Sequence, residues 1–178
     1  IGRIHFVGNP WPKGHAIVEF EWSGRIERST GVWFDFHLKS ASYDADDADS
    51  SKDSNRESDK DLWNNYGECV LSSTAWPGEG FGFLAATKDA PLKMSAIQTR
   101  VYTFDEKPKD LTLPRPFPAY ILGHEATANH IVRFRRATVK GQFNISWSGK
   151  VAYLSSCNEG FTDDFSAKLQ GVSLRGIY

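Results

Sequence analysis

Glu21-Trp22-Ser23-Gly24-Arg25-Ile26 and Ser146-Trp147-Ser148-Gly149-Lys150-Val151 write nearly the same pattern near the two ends of the chain. Each copy follows a run that alternates apolar and polar residues. Each is followed by a second alternating run, Phe34 to Leu38 and Phe165 to Leu169. Read as a strand, a Ser-Gly turn and a returning strand, the pattern predicts an antiparallel all-β domain. In the second copy, pairing around Ser148-Gly149 sets Ile145 against Ala152 and Phe143 against Leu154, apolar on apolar. In the first copy the same register puts Phe20 opposite Glu27 and Trp22 opposite Arg25 on the buried face. Arg25 to Gly31 therefore reads as a loop or a short return arm. The likeness of the two copies fits internal duplication and equally fits turn chemistry used twice.

Period-two alternation carries the other strands as well. His15 to Trp22 places Ala16, Val18, Phe20 and Trp22 on one face and Ile17, Glu19 and Glu21 on the other. Val32 to Lys39 sends Val32, Phe34, Phe36 and Leu38 inward and Trp33, Asp35, His37 and Lys39 outward. Further strands are expected at Ile4–Val7, Glu68–Ser72, Gly82–Ala86, Ile97–Phe104, Ala119–Leu122, Ile131–Val139, Gln142–Trp147, Val151–Leu154 and Phe165–Leu174. In the last of these the phase changes at Gly171, which reads as a β-bulge. Helix is minimal, with single turns expected near Ala90–Ser95 and Glu125–His130.

The chain has 178 residues and a formal net charge of −1, enough for one domain with a core, spanning 1–178. Such a balance argues against a nucleic-acid footprint. No apolar stretch approaches the roughly 20 residues that a membrane helix needs, so no membrane partner is expected. The sequence begins at Ile1 with no basic-then-apolar leader, which implies an extracytoplasmic protein if a leader has been removed before it. Residues 44–61 carry eleven charged residues, eight of them acidic, and are expected to form a mobile loop. Residues 106–118 carry four prolines and read as a connector within the domain. Two cysteines, Cys69 and Cys157, are too few for a disulfide framework, and their pairing stays open.

The outward face of the 32–39 strand is the leading candidate site. Trp33, Asp35 and His37 project the same way, about 6.5–7 Å between neighbours. A flat ring beside a carboxylate and an imidazole suits sugar recognition, the ring stacking on a pyranose and the polar groups bonding its hydroxyls. Glu19 and Glu21 are weaker candidates as a catalytic carboxylate pair, since glycoside hydrolysis needs two such groups about 5–9.5 Å apart. The acidic run Asp44 to Asp49 lacks the glycine and closing glutamate of a calcium loop, and His124 and His130 have no zinc-like spacing around them. Neither a metal nor a cofactor is expected. Gly78-Glu79-Gly80-Phe81-Gly82 lacks the Lys-Ser/Thr ending of a phosphate loop and reads as the rim before a strand. Arg133 and Arg135, outward on their strand, read as protection of a sheet edge.

The pattern therefore predicts an all-β antiparallel β-sandwich or flattened barrel of about ten to twelve strands. Its size, aromatic content and strand count are similar to those of jelly-roll and concanavalin-like sandwiches, and what this similarity implies is carbohydrate binding. The expected function is a non-catalytic ligand-binding module with a glycan or other small ligand. The alternatives are a glycoside hydrolase-like enzyme and a subunit that self-associates into a homo-oligomer through exposed aromatics such as Trp33, Trp11 or Trp76.

Overall fold

The computed structural model describes residues 1–45, 54–106 and 110–178, with backbone only for residues 54–58. Ten strands run in the order β1 (Gly2–Phe6), β2 (His15–Glu27), β3 (Gly31–Ser40), β4 (Val70–Ser72), β5 (Phe83–Thr87), β6 (Val101–Phe104), β7 (Ala119–Tyr120), β8 (His124–Arg136), β9 (Phe143–Ala152) and β10 (Asp163–Val172). Among the described residues one α-helix, α1 (Ser54–Asn64), lies between β3 and β4. All strand pairs are antiparallel.

The sheet follows the path β2-β1-β10-β9-β8-β7-β4-β3, and β3 returns to β2. It is a closed eight-stranded barrel with β5 and β6 added outside the circuit, on β3 and β8 respectively. The closed sheet, rather than two facing sheets, is how this chain disposes of its edges. Closure is narrow on one side, where β4 and β7 share two residue pairs, Val70↔Tyr120 and Leu71↔Ala119. Phe83 of β5 packs against Phe34, Phe36, Tyr102 and Phe104, and so fills the wall where those short strands end.

The two Trp-Ser-Gly segments are not turns. Both lie inside long strands, Trp22 to Gly24 within β2 and Trp147 to Gly149 within β9. The β2–β3 hairpin turns later, at residues 28–30, so Arg25 pairs with Trp33 and Trp22 with Phe36. Ile145 and Phe143 pair with β8 and β10 instead of with Ala152 and Leu154. The glycines serve close packing. A Cβ on Gly149 would stand 2.6 Å from Cε1 of Phe165 and 2.9 Å from the Ala128 carbonyl oxygen. A Cβ on Gly24 would meet Ile177 at 3.0 Å, where the C-terminal segment runs beside β2 and Tyr178 N–H donates to the Gly24 carbonyl.

Bulges account for the other differences of phase. The register of β2 shifts between Ile17 and Glu19, so His15 and Ile17 turn inward while Val18 stands 54% exposed. Sequence alternation had placed Val18 with the core. The shift at the end of β10 falls where Gly171 adopts φ +65°, as the phase change implied. Glu125–His130, expected as a helical turn, belongs to β8. Of the acidic stretch 44–61, residues Tyr43–Ala45 form a 3-10 turn and Ser54 onward is helix; residues 46–53 lie outside the described residues. Residues 107–109 of the proline-rich connector are likewise outside them.

Rings fill the barrel. Trp22, Phe34, Phe36, Phe117, Phe134, Trp147 and Phe165 are all at least 98% buried. Most of their contacts are edge-to-face, for example Trp22 with Phe34 at 5.2 Å and 83° and Trp147 with Phe165 at 5.9 Å and 80°. That geometry sets the positive ring edge against the negative face and adds to the gain from burial. An eight-stranded barrel is just wide enough for side chains to fill, and these do.

Candidate functional site

Trp33, Asp35 and His37 share the outer face of β3, and each is engaged by its own chain. The Trp33 indole N–H donates to Thr30 Oγ1 at 2.7 Å, the Arg25 guanidinium carbon lies 5.4 Å from the ring centroid, and Phe81 meets the ring edge-on at 6.0 Å. Asp35 is 7% exposed and accepts hydrogen bonds from Arg25 Nε at 2.9 Å and from the Ser73 hydroxyl at 2.9 Å. His37 Nδ1 is 2.9 Å from the Ser72 hydroxyl, and its Nε2 is 3.8 Å from Glu19. The 73–82 loop thus folds over this face. Trp11, an interface candidate, is buried beside His15 and Tyr43. Glu19 and Glu21 keep side-chain exposures of 51% and 39%, and Glu21 pairs with Arg175 at 2.6 Å. Neither has the desolvated setting that a carboxylic acid catalyst requires.

A second constellation, absent from the sequence reading, forms where that loop meets the proline-rich connector. The two segments pair side by side: Arg115 N–H donates to Glu79 O at 3.1 Å, Phe81 N–H to Arg115 O at 3.2 Å and Gly82 N–H to Pro116 O at 3.0 Å. Gly80 is required there, because a Cβ would lie 2.7 Å from the Ser73 Cα. Between this seam and the start of β8 opens a pocket of about 330 Å³, bordered by Glu79, Thr112, Arg115, His124, Glu125 and Leu154 among others.

Two charged side chains in that wall are more than nine-tenths buried. Glu125 accepts from the Ser155 hydroxyl, and its other oxygen accepts from the Ser155 N–H at 3.3 Å. Arg115 donates from Nη2 to the Leu111 carbonyl at 2.6 Å, while its Nη1 has no hydrogen-bond partner among the described residues. His124 is exposed and flanked edge-on by Trp76 at 5.6 Å and Tyr120 at 5.5 Å. The pocket wall therefore includes an imidazole, a carboxylate and a guanidinium, with the half-buried Trp76 indole beside the imidazole.

Behind Arg115 sits a buried polar chain. Trp147 Nε1 donates to His130 Nδ1 at 3.1 Å, so the proton of the neutral ring is on Nε2. That Nε2 lies 4.0 Å from Asp105 Oδ2, and neither atom has a hydrogen-bond partner among the described residues. Burial drives the His130 pKa down to about 3. It drives that of Asp105 up to about 6, against the opposing pull of the Arg115 charge. Both groups are neutral together at mildly acidic pH. Cys69 is buried and Cys157 exposed, and both are free thiols.

Compared with known proteins, the chain matches no family model, no curated protein and no solved structure at a significant level. Among the described residues no helix is long and apolar enough to cross a membrane.

The sequence signal for the pocket was weak for a physical reason. Glu79, Arg115, His124 and Glu125 come from three separate segments, and none stands at a spacing that any single element would align. The available hints were a Gly-x-Gly-x-Gly run and a Pro-Arg-Pro, the marks of backbone held close and stiff.

Proposed function

We propose that this chain is a non-catalytic ligand-binding barrel, and that its ligand is a carbohydrate held on the outside of the barrel. The supporting observation is Arg115: a guanidinium more than nine-tenths buried, with a free Nη1, in the wall of a pocket that also holds the buried Glu125. A buried donor with no partner is costly unless something meets it. Sugar hydroxyls suit this wall, since each donates to a carboxylate and accepts from a guanidinium. His124 in the pocket wall, with Trp76 5.6 Å from it, would supply ring surface for a pyranose face. The ring-filled interior leaves the outer surface and its loops as the place for a ligand.

A glycan array read by bound protein, followed by titration of the best hit, tests the proposal. Trp76→Ala and Glu125→Gln are each expected to weaken binding by about tenfold, the scale of one lost ring contact or charged hydrogen bond. Trp33→Ala is expected to leave affinity unchanged, because Arg25 already lies against that ring. Loss of binding in Trp33→Ala with retention in the other two would move the site to the face of β3. No glycan bound by the parent protein would end the carbohydrate reading.

A further inference from the structure

The far end of β8 carries a different kind of pocket. The turn from β8 to β9 spans residues 137–142, closed by Ala137 N–H to Gln142 O at 3.0 Å and Gln142 N–H to Val139 O at 3.1 Å. With residues 94–95 it bounds a cavity of about 410 Å³. Phe143 and Met94 form apolar wall, and Phe143 is continuous with the barrel core through Trp22 at 5.6 Å. Val139 on the turn is 58% exposed beside it. Eleven residues of β8 separate Arg136 from Glu125, roughly 36 Å along an extended strand, so this is a separate site from the carbohydrate pocket.

The charge around this cavity has one sign. Arg136 and Lys140 line it, and no carboxylate does. Arg136 pairs with Phe143 across the strands and so shares its inward phase, yet it is exposed because the barrel ends there. Among the described residues neither Arg136 nor Lys140 has an ion pair, and the same holds for Arg133 and Arg135 on the outer face of β8. An apolar cavity of ligand size under two unneutralised cations calls for one molecule that is oily at one end and anionic at the other.

We propose that this cavity binds a single-chain anionic amphiphile, a fatty carboxylate, with its tail against Met94, Val139 and Phe143 and its headgroup between Arg136 and Lys140. The charge complementarity and the apolar wall select this occupant over a free phosphate, which would leave Phe143 and Val139 unused. The tail follows the wall that Phe143 shares with the core, so affinity rises with chain length by roughly three- to fourfold per methylene until the cavity is full.

Calorimetric titration of the intact chain with monomeric dodecanoate, below its micelle concentration, tests this. One carboxylate is expected to bind per chain, with affinity falling as salt is raised. The methyl ester of dodecanoate is expected to bind at least tenfold more weakly, and so is dodecanoate to an Arg136→Gln/Lys140→Gln variant. Val139→Asp, an exposed change that leaves the core alone, is expected to weaken binding to a similar degree and is the control should the double variant fail to fold. Equal affinity for acid and ester, unaltered binding in Val139→Asp, or no binding at about 1 mM each overturn the proposal. So does association with vesicles of phosphatidylglycerol in the absence of any monomer binding, which would make the basic end a membrane-surface contact. None of these outcomes bears on the carbohydrate pocket.

Discussion

Replacing Asp105 by asparagine should change the pH dependence of stability in a way that counts protons. Near pH 5 the native chain holds about one proton on the pair, because the Asp105 pKa is up to about 6 and that of His130 down to about 3. The unfolded chain also holds one, on the histidine, whose ordinary value is near 6.5, while its aspartate is ionised above about 3.9. Equal proton counts mean that the pair adds no slope to stability there. Asp105→Asn leaves a native state with no proton and an unfolded state with one. Stability then rises with pH by about 1.4 kcal/mol per unit, or roughly 3 kcal/mol from pH 4 to 6. His130→Gln leaves near pH 5 a native state with about one proton and an unfolded state with nearly none, so its slope there has opposite sign and similar, somewhat smaller, size. Urea unfolding at half-unit pH steps, followed by tryptophan fluorescence, gives the three curves. All other carboxylates cancel in the difference from the parent. Differences that stay constant across pH 4 to 6 would refute the protonation states assigned to both residues.

The Trp-Ser-Gly segments offer a matched pair of substitutions. Gly149→Ala forces a methyl against Phe165 and the Ala128 carbonyl inside the barrel and should cost about 2–3 kcal/mol in urea unfolding. Gly24→Ala meets Ile177 Cγ1 at 3.0 Å and backbone no nearer than the Gly176 carbonyl at 3.6 Å, and should cost less than about 1 kcal/mol. Arg25→Met removes the cation from the buried Asp35 carboxylate and should cost about 3 kcal/mol, with part of it recovered in an Arg25→Met/Asp35→Asn double variant. Under native conditions a thiol reagent should modify Cys157 alone. Burial both shields Cys69 and pushes its thiol pKa up, so it reacts only when urea opens the barrel.

Alternation was legible where strands are regular and opaque where they are not. Phe34, Phe36 and Leu38 fall inward as their period demands, and Gly171 announces its own bulge. Val18 gave no such warning, since a bulge at a β-branched residue leaves no mark on composition. The two Ser-Gly pairs misled because a glycine in a strand and a glycine in a turn look alike in one dimension. What separates them is whether a Cβ would strike something, and at Gly149 the obstacles are Phe165 and Ala128, both distant in sequence. The choice between sandwich and barrel stayed open for the same reason, as β2 pairing with both β1 and β3 is a fact about the ends of a circuit.

The candidate site was opaque for a further reason. A sheet face advertises its residues by period, and so Trp33, Asp35 and His37 drew attention together, but a face so patterned is also one that a loop can cover. Here the 73–82 loop does so: Ser73 spends its hydroxyl on Asp35, and Arg25 donates from Nη2 to the Phe81 carbonyl at 2.5 Å. The same loop, by pairing with Arg115, creates the pocket on its other side. Satisfying one set of polar groups and leaving Arg115 Nη1 unmet are thus two consequences of one packing arrangement. A barrel filled with rings has no interior in which to hide a ligand's polar atoms. On the proposed reading, recognition is built where loops meet, and the unpartnered Arg115 donor stands at that junction.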